Sequence, residues 1–180
     1  MKDDIKRVNK VLKKYRSNCL MELDSLDHVL ECSLGNYDFM IDFAIKEGFE
    51  RVVDIGCAYG HQAELCKDRI KYLGVDEDNL DFYKFYERFS GINYIVGKYP
   101  CYIPSYYYNS LAISNLAIGW NCYVDEKEFN KQCKALKKDF KASLLYIPRD
   151  RESILRKNFE NVRIAKEDKE YSLAAFYYCN

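Results

Sequence analysis

The sequence predicts an α/β protein with a doubly wound, mostly parallel seven-stranded sheet that ends in an antiparallel hairpin. From residue 51 onward, short apolar runs alternate with segments long enough for crossover helices, which is typical of strands buried in a parallel sheet. Such alternation favours right-handed crossovers. The last two runs are joined only by the charged residues 166–170, which suit a hairpin turn. The predicted strands are 51–55, 72–75, 92–96, 110–114, 142–147, 161–165 and 171–178.

Helical segments are predicted between these strands and ahead of them. Those between the strands are 61–69, 79–89, 125–138 and 151–159, and those ahead of them are 4–16, 20–32 and 37–47. Ser33, Gly35 and Asn36 predict a break between the second and third helices, and Gly48 is expected to end the third. A chain of 180 residues fits a single domain. We expect residues 1–36 to form a helical extension or lid and residues 37–180 to form the core.

Composition and charge exclude several classes of protein. Lys and Arg number 28 and Asp and Glu also 28, so no net field attracts nucleic acid or an anionic membrane. The basic face of helix 4–16 leaves a local nucleic-acid contact open, although such faces are usually only solvated. No signal peptide and no apolar run of roughly 18 residues is present, so we expect no membrane association. The eight cysteines lack zinc-site spacing, which predicts no metal site. Because no secretion signal is expected either, we expect reduced thiols in the cytoplasm.

A loop of small residues follows the first predicted strand. That strand closes with Asp54, and Gly56, Ala58 and Gly60 then let the backbone turn tightly and approach a ligand. A dinucleotide fingerprint would require a small residue at position 61, which is His61. An acid at the end of the strand also repels a pyrophosphate. The loop therefore favours a positively charged cofactor.

The pattern Asp54-x-Gly56-x-Ala58-x-Gly60 resembles the acidic-x-Gly-x-Gly-x-Gly motif of the class I, Rossmann-like S-adenosylmethionine-dependent methyltransferases, with Ala58 replacing the middle glycine. A second acid, Asp76, closes the next strand 22 residues later. The resemblance implies that Asp76 binds the ribose hydroxyls, and a carboxylate is a bidentate acceptor suited to a vicinal diol. The chain departs from the family after the third strand, where Val96-Gly97-Lys98 supplies no acid for the adenine amino group.

The resemblance covers about residues 37–180 and implies a binding site for S-adenosylmethionine. Asn115 ends the fourth strand, where family members face the methionine portion and the acceptor. The implied cofactor-binding residues are Asp54, Gly56, Cys57, Ala58, Gly60, Asp76, Glu77 and Asn115. Cys57 is interpreted as a small buried packing residue and not a nucleophile. No catalytic residue is implied, because methyl transfer from a sulfonium depends mainly on positioning and a base is optional.

Several aromatic residues have two interpretations. Trp120 and the run Tyr106–Tyr108 could stack on an acceptor or could pack in the core or a lid. We expect segment 98–109, together with the N-terminal helices, to form a lid over the strand ends. His61 could lie near the cofactor or on the surface of a helix.

The predicted function is methyl transfer from S-adenosylmethionine to an unidentified acceptor. A small molecule or a protein is favoured over duplex nucleic acid, since the fourth strand ends in Ser114-Asn115-Leu116-Ala117 and lacks the Asx-Pro-Pro-aromatic signature for exocyclic amines. A catalytically silent cofactor- or nucleoside-binding module of the same fold is one alternative. A methyltransferase that contacts RNA or DNA through helix 4–16 is another.

Overall fold

The structure is a computed structural model that describes residues 23–57, 60, 62–77, 93–115, 117–119, 124–168 and 172–180, with only the backbone given for 23–34. Predicted helices 4–16 and 79–89 lie outside the described residues, as do Ala58, His61 and Trp120. None of the helices that the structure does describe is both long and apolar enough to cross a bilayer.

A seven-stranded sheet with the order β3-β2-β1-β4-β5-β7-β6 organises the chain. Strands β1 to β5 are parallel, while β7 pairs antiparallel with both β5 and β6. This confirms the predicted fold class, including the terminal hairpin. The strands are β1 Arg51–Ile55, β2 Lys71–Asp76, β3 Asn93–Val96, β4 Leu111–Asn115, β5 Ala142–Pro148, β6 Val162–Glu167 and β7 Ala174–Cys179. The α-helices that the structure describes are α1 Leu23–Lys46, α2 Ala63–Cys66, α3 Glu126–Asp139 and α4 Glu152–Asn158.

Both faces of the sheet are buried, which explains why its central strands are almost continuously apolar. Because side chains alternate along a strand, Val52 of β1 packs with Met40 and Ile41 of α1. On the other face, Val53 belongs to the cluster that contains Phe129 of α3 and Leu155 of α4. The sheet is therefore packed between helices on both faces, and this packing fixes the positions of the strand ends.

Helix α1 is continuous from Leu23 to Lys46, so the predicted break at Ser33, Gly35 and Asn36 is wrong. Gly35 is exposed within the helix, where a glycine costs only about 1 kcal/mol. Burial of Met40 and Ile41 against the sheet outweighs that cost. The helix also continues across the position where the extension 1–36 was expected to give way to the core 37–180. It ends as predicted at Gly48, with φ +79°, where the Phe49 N–H donates to the Ala44 carbonyl (2.9 Å).

The connection from β3 to β4 contains a 3₁₀ turn, Ser105–Tyr107, and no α-helix. Ile103 and Tyr107 are buried in the core, while the Tyr106 ring lies 4.0 Å from the Arg51 guanidinium carbon and its hydroxyl 3.1 Å from Lys71 Nζ. Arg51 and Lys71 begin β1 and β2. The segment thus crosses to the amino ends of the strands, as a chain returning to start a parallel strand must. The expectation that segment 98–109 forms a lid over the carboxyl ends is wrong for Tyr106, and Tyr107 is a core residue.

The continuity of α1 predicts opposite effects for two Gly→Ala substitutions. Gly35→Ala should raise the free energy of unfolding by about 0.5–1 kcal/mol, because alanine favours the helix interior and no described atom lies within 4 Å of the added Cβ. Gly48→Ala should lower it by about 1 kcal/mol, because its φ of +79° disfavours a side chain. Urea unfolding of both variants measures this pair. Destabilisation by Gly35→Ala would contradict a continuous helix.

Candidate functional site

The sheet has its topological switch point between β1 and β4. From β1 the chain proceeds to β2 and β3 on one side, whereas β4 and β5 extend on the other. In open α/β sheets, the crevice at the carboxyl ends of such strands is where ligands bind. Gly56 and Cys57, which follow β1, begin the loop at this crevice.

Two glycines shape this loop. Gly56 and Gly60 have φ of +77° and +64°, a region that side chains rarely adopt. A Cβ on Gly56 would lie 1.9 Å from the Ala117 Cβ. The turn after β4 approaches so closely that position 56 requires glycine. Gly60 is buried, yet no described atom lies within 4 Å of the place where its Cβ would stand. The loop therefore closes tightly at Gly56, and none of the described residues packs where a Gly60 side chain would stand.

Asp54 is fully buried, and its carboxylate accepts hydrogen bonds from three side chains. The donors are the Tyr72 hydroxyl on Oδ2 (2.7 Å), the Tyr37 hydroxyl on Oδ1 (3.4 Å) and Gln62 Nε2 on Oδ2. Burial raises the pKa of Asp54 to about 7, and the charge of Asp76 adds to the rise, while the three donors oppose it. Burial also raises the pKa of Tyr37 and of Tyr72, so both hydroxyls keep their protons and remain donors.

These three donors were not predicted from the sequence. Tyr72 lies on the same face of β2 as Gly74, which is the register partner of Asp54. A strand period of two suggests that Asp54 and Tyr72 could meet, but only the observed register establishes it. Gln62 and Tyr37 reach Asp54 from a loop and from α1, and no sequence spacing indicates those contacts.

Cys57 packs against the sheet. Its side chain is 1% exposed, and a Cβ on Gly74 would lie 2.8 Å from the Cys57 Sγ, so the glycine in β2 makes room for the thiol. This burial agrees with the interpretation of Cys57 as a packing residue. Its carbonyl oxygen accepts hydrogen bonds from the Gly60 N–H (2.8 Å) and from Gln62 Nε2 (2.9 Å). The five cysteines whose side chains the structure describes are all free thiols.

The remaining predicted residues lie at the ends of β2 and β4. Asp76 is half-buried at the carboxyl end of β2, and the adjacent Glu77 is exposed with its carboxylate 3.8 Å from Lys98 Nζ. Asn115 is 6% exposed, and its Oδ1 accepts a hydrogen bond from Asn36 Nδ2 of α1 (3.1 Å). Asp54, Asp76 and Asn115 thus share the carboxyl edge of the sheet, and α1 forms a wall beside Asn115.

The buried carboxyl group at position 54 predicts a pH-dependent stability. Its pKa in the folded state, about 7, lies above the ordinary 3.8, so folding favours the protonated form. The stability that this proton contributes is complete below about pH 4 and is lost as pH rises through 7. In urea unfolding across this range, wild type should lose stability relative to Asp54→Asn with a slope approaching about 1.4 kcal/mol per pH unit. A difference between the two proteins that is independent of pH would contradict the assignment.

No protein-family model and no curated protein matches the sequence. Solved structures do match the fold. A TehB-like S-adenosylmethionine-dependent methyltransferase from Corynebacterium glutamicum superimposes with a TM-score of 0.63 at 14% identity, over 97% of each chain. The methyltransferase domain of bacterial CtHen1 gives 0.62 at 15% identity, over 81% of this chain and 97% of that one.

A further similar structure is the S-adenosylmethionine-dependent methyltransferase SibL in its apo form, with a TM-score of 0.66 at 12% identity. The match covers 86% of this chain but only 56% of SibL. Identities this low establish architecture and nothing finer. The chain has the fold of the class I S-adenosylmethionine-dependent methyltransferases.

Proposed function

We propose that this protein binds S-adenosylmethionine at the carboxyl edge of β1, β2 and β4 and transfers its methyl group to a small-molecule or protein acceptor. The proposal rests mainly on the glycine loop at the switch point of the sheet, which is flanked by the two acids Asp54 and Asp76. The fold of the chain, which solved methyltransferases share, also supports it.

The residues present fit such a cofactor. Gly60 lies on the loop that would face the cofactor, and none of the described atoms lies within 4 Å of the place where its Cβ would stand. Asp76 ends β2 and offers carboxylate oxygens to a pair of ribose hydroxyls. The carboxylate of Asp76 makes this edge electronegative, and Asp54 adds to the negative charge as pH rises through its pKa of about 7. A negative edge attracts a sulfonium and an ammonium and repels a pyrophosphate. The edge therefore suits a cationic nucleoside better than a dinucleotide.

When bound, S-adenosylmethionine would supply an electrophilic methyl group for an in-line displacement. The chain's own contribution is to position the reactants and to exclude water. The glycine loop lets the backbone approach closely, and Asp76 would orient the ribose. Asn115, which Asn36 holds in place, would orient the methionine end. We propose no general base, because a thiolate, carboxylate or phenolate acceptor needs none.

We propose that the acceptor approaches from the side of α1, whose Asn36 already reaches the end of β4. This arrangement suits a small molecule or a protein segment. The alternative of a silent binding module draws support from the end of β3, where no acid follows and Lys98 is engaged by Glu77. Its proposed ligand would be the same cofactor or a related nucleoside.

Calorimetry with S-adenosylhomocysteine tests the cofactor site. Wild type should bind it, and Asp76→Ala should weaken binding at least tenfold, because the ribose hydroxyls lose a charged acceptor worth about 1.5–3 kcal/mol. Glu160→Ala removes an exposed acid that follows α4 and pairs with Lys137, and it should leave affinity unchanged. Absence of binding by wild type to both S-adenosylhomocysteine and S-adenosylmethionine would refute the proposed function.

Transfer of a radiolabelled methyl group separates an enzyme from a silent module. Purified protein with labelled S-adenosylmethionine should label either the small-molecule or the protein fraction of a cell extract, and Asp76→Ala should reduce the label at least tenfold. Label that appears only in nucleic acid would contradict the proposed acceptor class. Cofactor binding with no label in any fraction would establish the silent module.

A further inference from the structure

A buried glutamine that the sequence analysis did not select joins Asp54 to the glycine loop. Gln62 directly precedes α2 and has no exposed surface. Its Nε2 donates both to Asp54 Oδ2 and to the Cys57 carbonyl oxygen (2.9 Å). A backbone carbonyl can only accept hydrogen bonds, so the Cys57 carbonyl determines which end of the amide is nitrogen.

The other end of this amide has no partner in the described part of the chain. Gln62 Oε1 is buried, and no donor among the described residues reaches it. Leaving a buried acceptor unsatisfied costs about 1–3 kcal/mol, so such an atom in a folded protein calls for an explanation. The side chain cannot relieve the cost by rotating, because its oxygen would then face Asp54 and the Cys57 carbonyl.

The position of this acceptor connects it with the candidate cofactor site. The Cys57 carbonyl that holds Gln62 Nε2 also accepts from the Gly60 N–H (2.8 Å), so the amide belongs to the Cys57–Gly60 turn. At the same turn, no described atom lies within 4 Å of the place where a Cβ of Gly60 would stand. The unsatisfied acceptor and this unobstructed glycine, as far as the described residues show, therefore belong to one loop.

We propose that Gln62 Oε1 accepts a hydrogen bond from the amine of the ligand's amino-acid portion, and that Asp54 acts on the ligand through Gln62. The inference rests on the proposed function and deepens it. Asp54 accepts from Nε2 and so polarises the amide, which makes Oε1 a better acceptor for an ammonium. A nucleoside without an amine gains nothing from this acceptor, so Gln62 determines preference for the amino-acid portion of the cofactor.

Calorimetry with three ligands tests the proposal. S-adenosylhomocysteine carries the amine, its desamino analogue lacks only that amine, and 5′-methylthioadenosine lacks the whole amino-acid portion. On wild type, removal of the amine should cost at least tenfold in affinity. In Gln62→Met, which has a similar shape but no amide, affinity for S-adenosylhomocysteine should fall at least tenfold, while affinity for 5′-methylthioadenosine should change less than threefold.

Two further variants serve as controls. Gln62→Glu keeps an acceptor oxygen and can share a proton with Asp54, so it should retain most of the preference for the amine. Gln132→Met removes another buried amide whose Oε1 is unsatisfied, on the opposite face of the sheet in α3, and should change no affinity. Thermal unfolding checks that each variant is folded. If Gln62→Met does not fold, the comparison of the two homocysteine ligands on wild type decides.

The outcomes distinguish the inference from the function on which it rests. If wild type binds none of the three ligands, the proposed function fails. If wild type binds S-adenosylhomocysteine but loses less than twofold with the desamino analogue, the site stands and the role of Gln62 is overturned. An equal loss for all three ligands in Gln62→Met also overturns that role, because it indicates only a structural contribution to the loop.

Discussion

Burial of the Asp54 carboxyl group is the constraint on which the candidate site depends. A carboxyl group inside a sheet is costly unless donors satisfy it, and here the donors come from three separate elements. Tyr72 belongs to β2, Tyr37 to α1, and Gln62 to the residues that follow the glycine loop. Asp54 therefore ties the first helix, the second strand and the loop to the end of β1.

The glycine loop takes its shape from the same contacts. Its backbone turns back on itself, because the Gly60 N–H donates a hydrogen bond to the Cys57 carbonyl. The side-chain amide of Gln62 donates both to that carbonyl and to Asp54, and so connects them. On the other side, Ser114 Oγ donates to the Ile55 carbonyl (2.9 Å) and accepts from the Ile118 N–H (3.1 Å), which joins the ends of β1 and β4. The crevice between the two strands is thus held by polar contacts on both sides, and such preorganisation would lower the cost of binding the proposed cofactor.

Much of the fold could be predicted because each strand carries its own signal. Apolar runs with short polar intervals placed all seven strands within three residues of the observed bounds, and the five charged residues after position 165 predicted the hairpin. The helix break predicted at Gly35 was wrong, because packing of α1 against the sheet outweighs the local cost of a glycine. The lid predicted for segment 98–109 was wrong for Tyr106, because the path of the crossover, and not its aromatic residues, determines which end of the sheet the loop reaches.

The site was predictable only where one short segment contains the motif. The tight turn predicted from Gly56 and Gly60 is present, and the structure adds that both glycines have positive φ. The partners of Asp54 could not be found, because Tyr37 and Tyr72 lie 17 and 18 residues away and meet it only through tertiary packing. Gln62 gives no signal at all in sequence, since a glutamine before a short helix is usually a surface residue.

A crystal structure of the protein with S-adenosylhomocysteine would show directly whether the glycine loop holds the cofactor. We expect the ribose hydroxyls to contact Asp76 and the amine to lie within hydrogen-bond distance of Gln62 Oε1, beside Gly60. Ligand bound away from the carboxyl ends of β1 and β2, or with its amino-acid portion directed away from the loop, would rule out this binding mode.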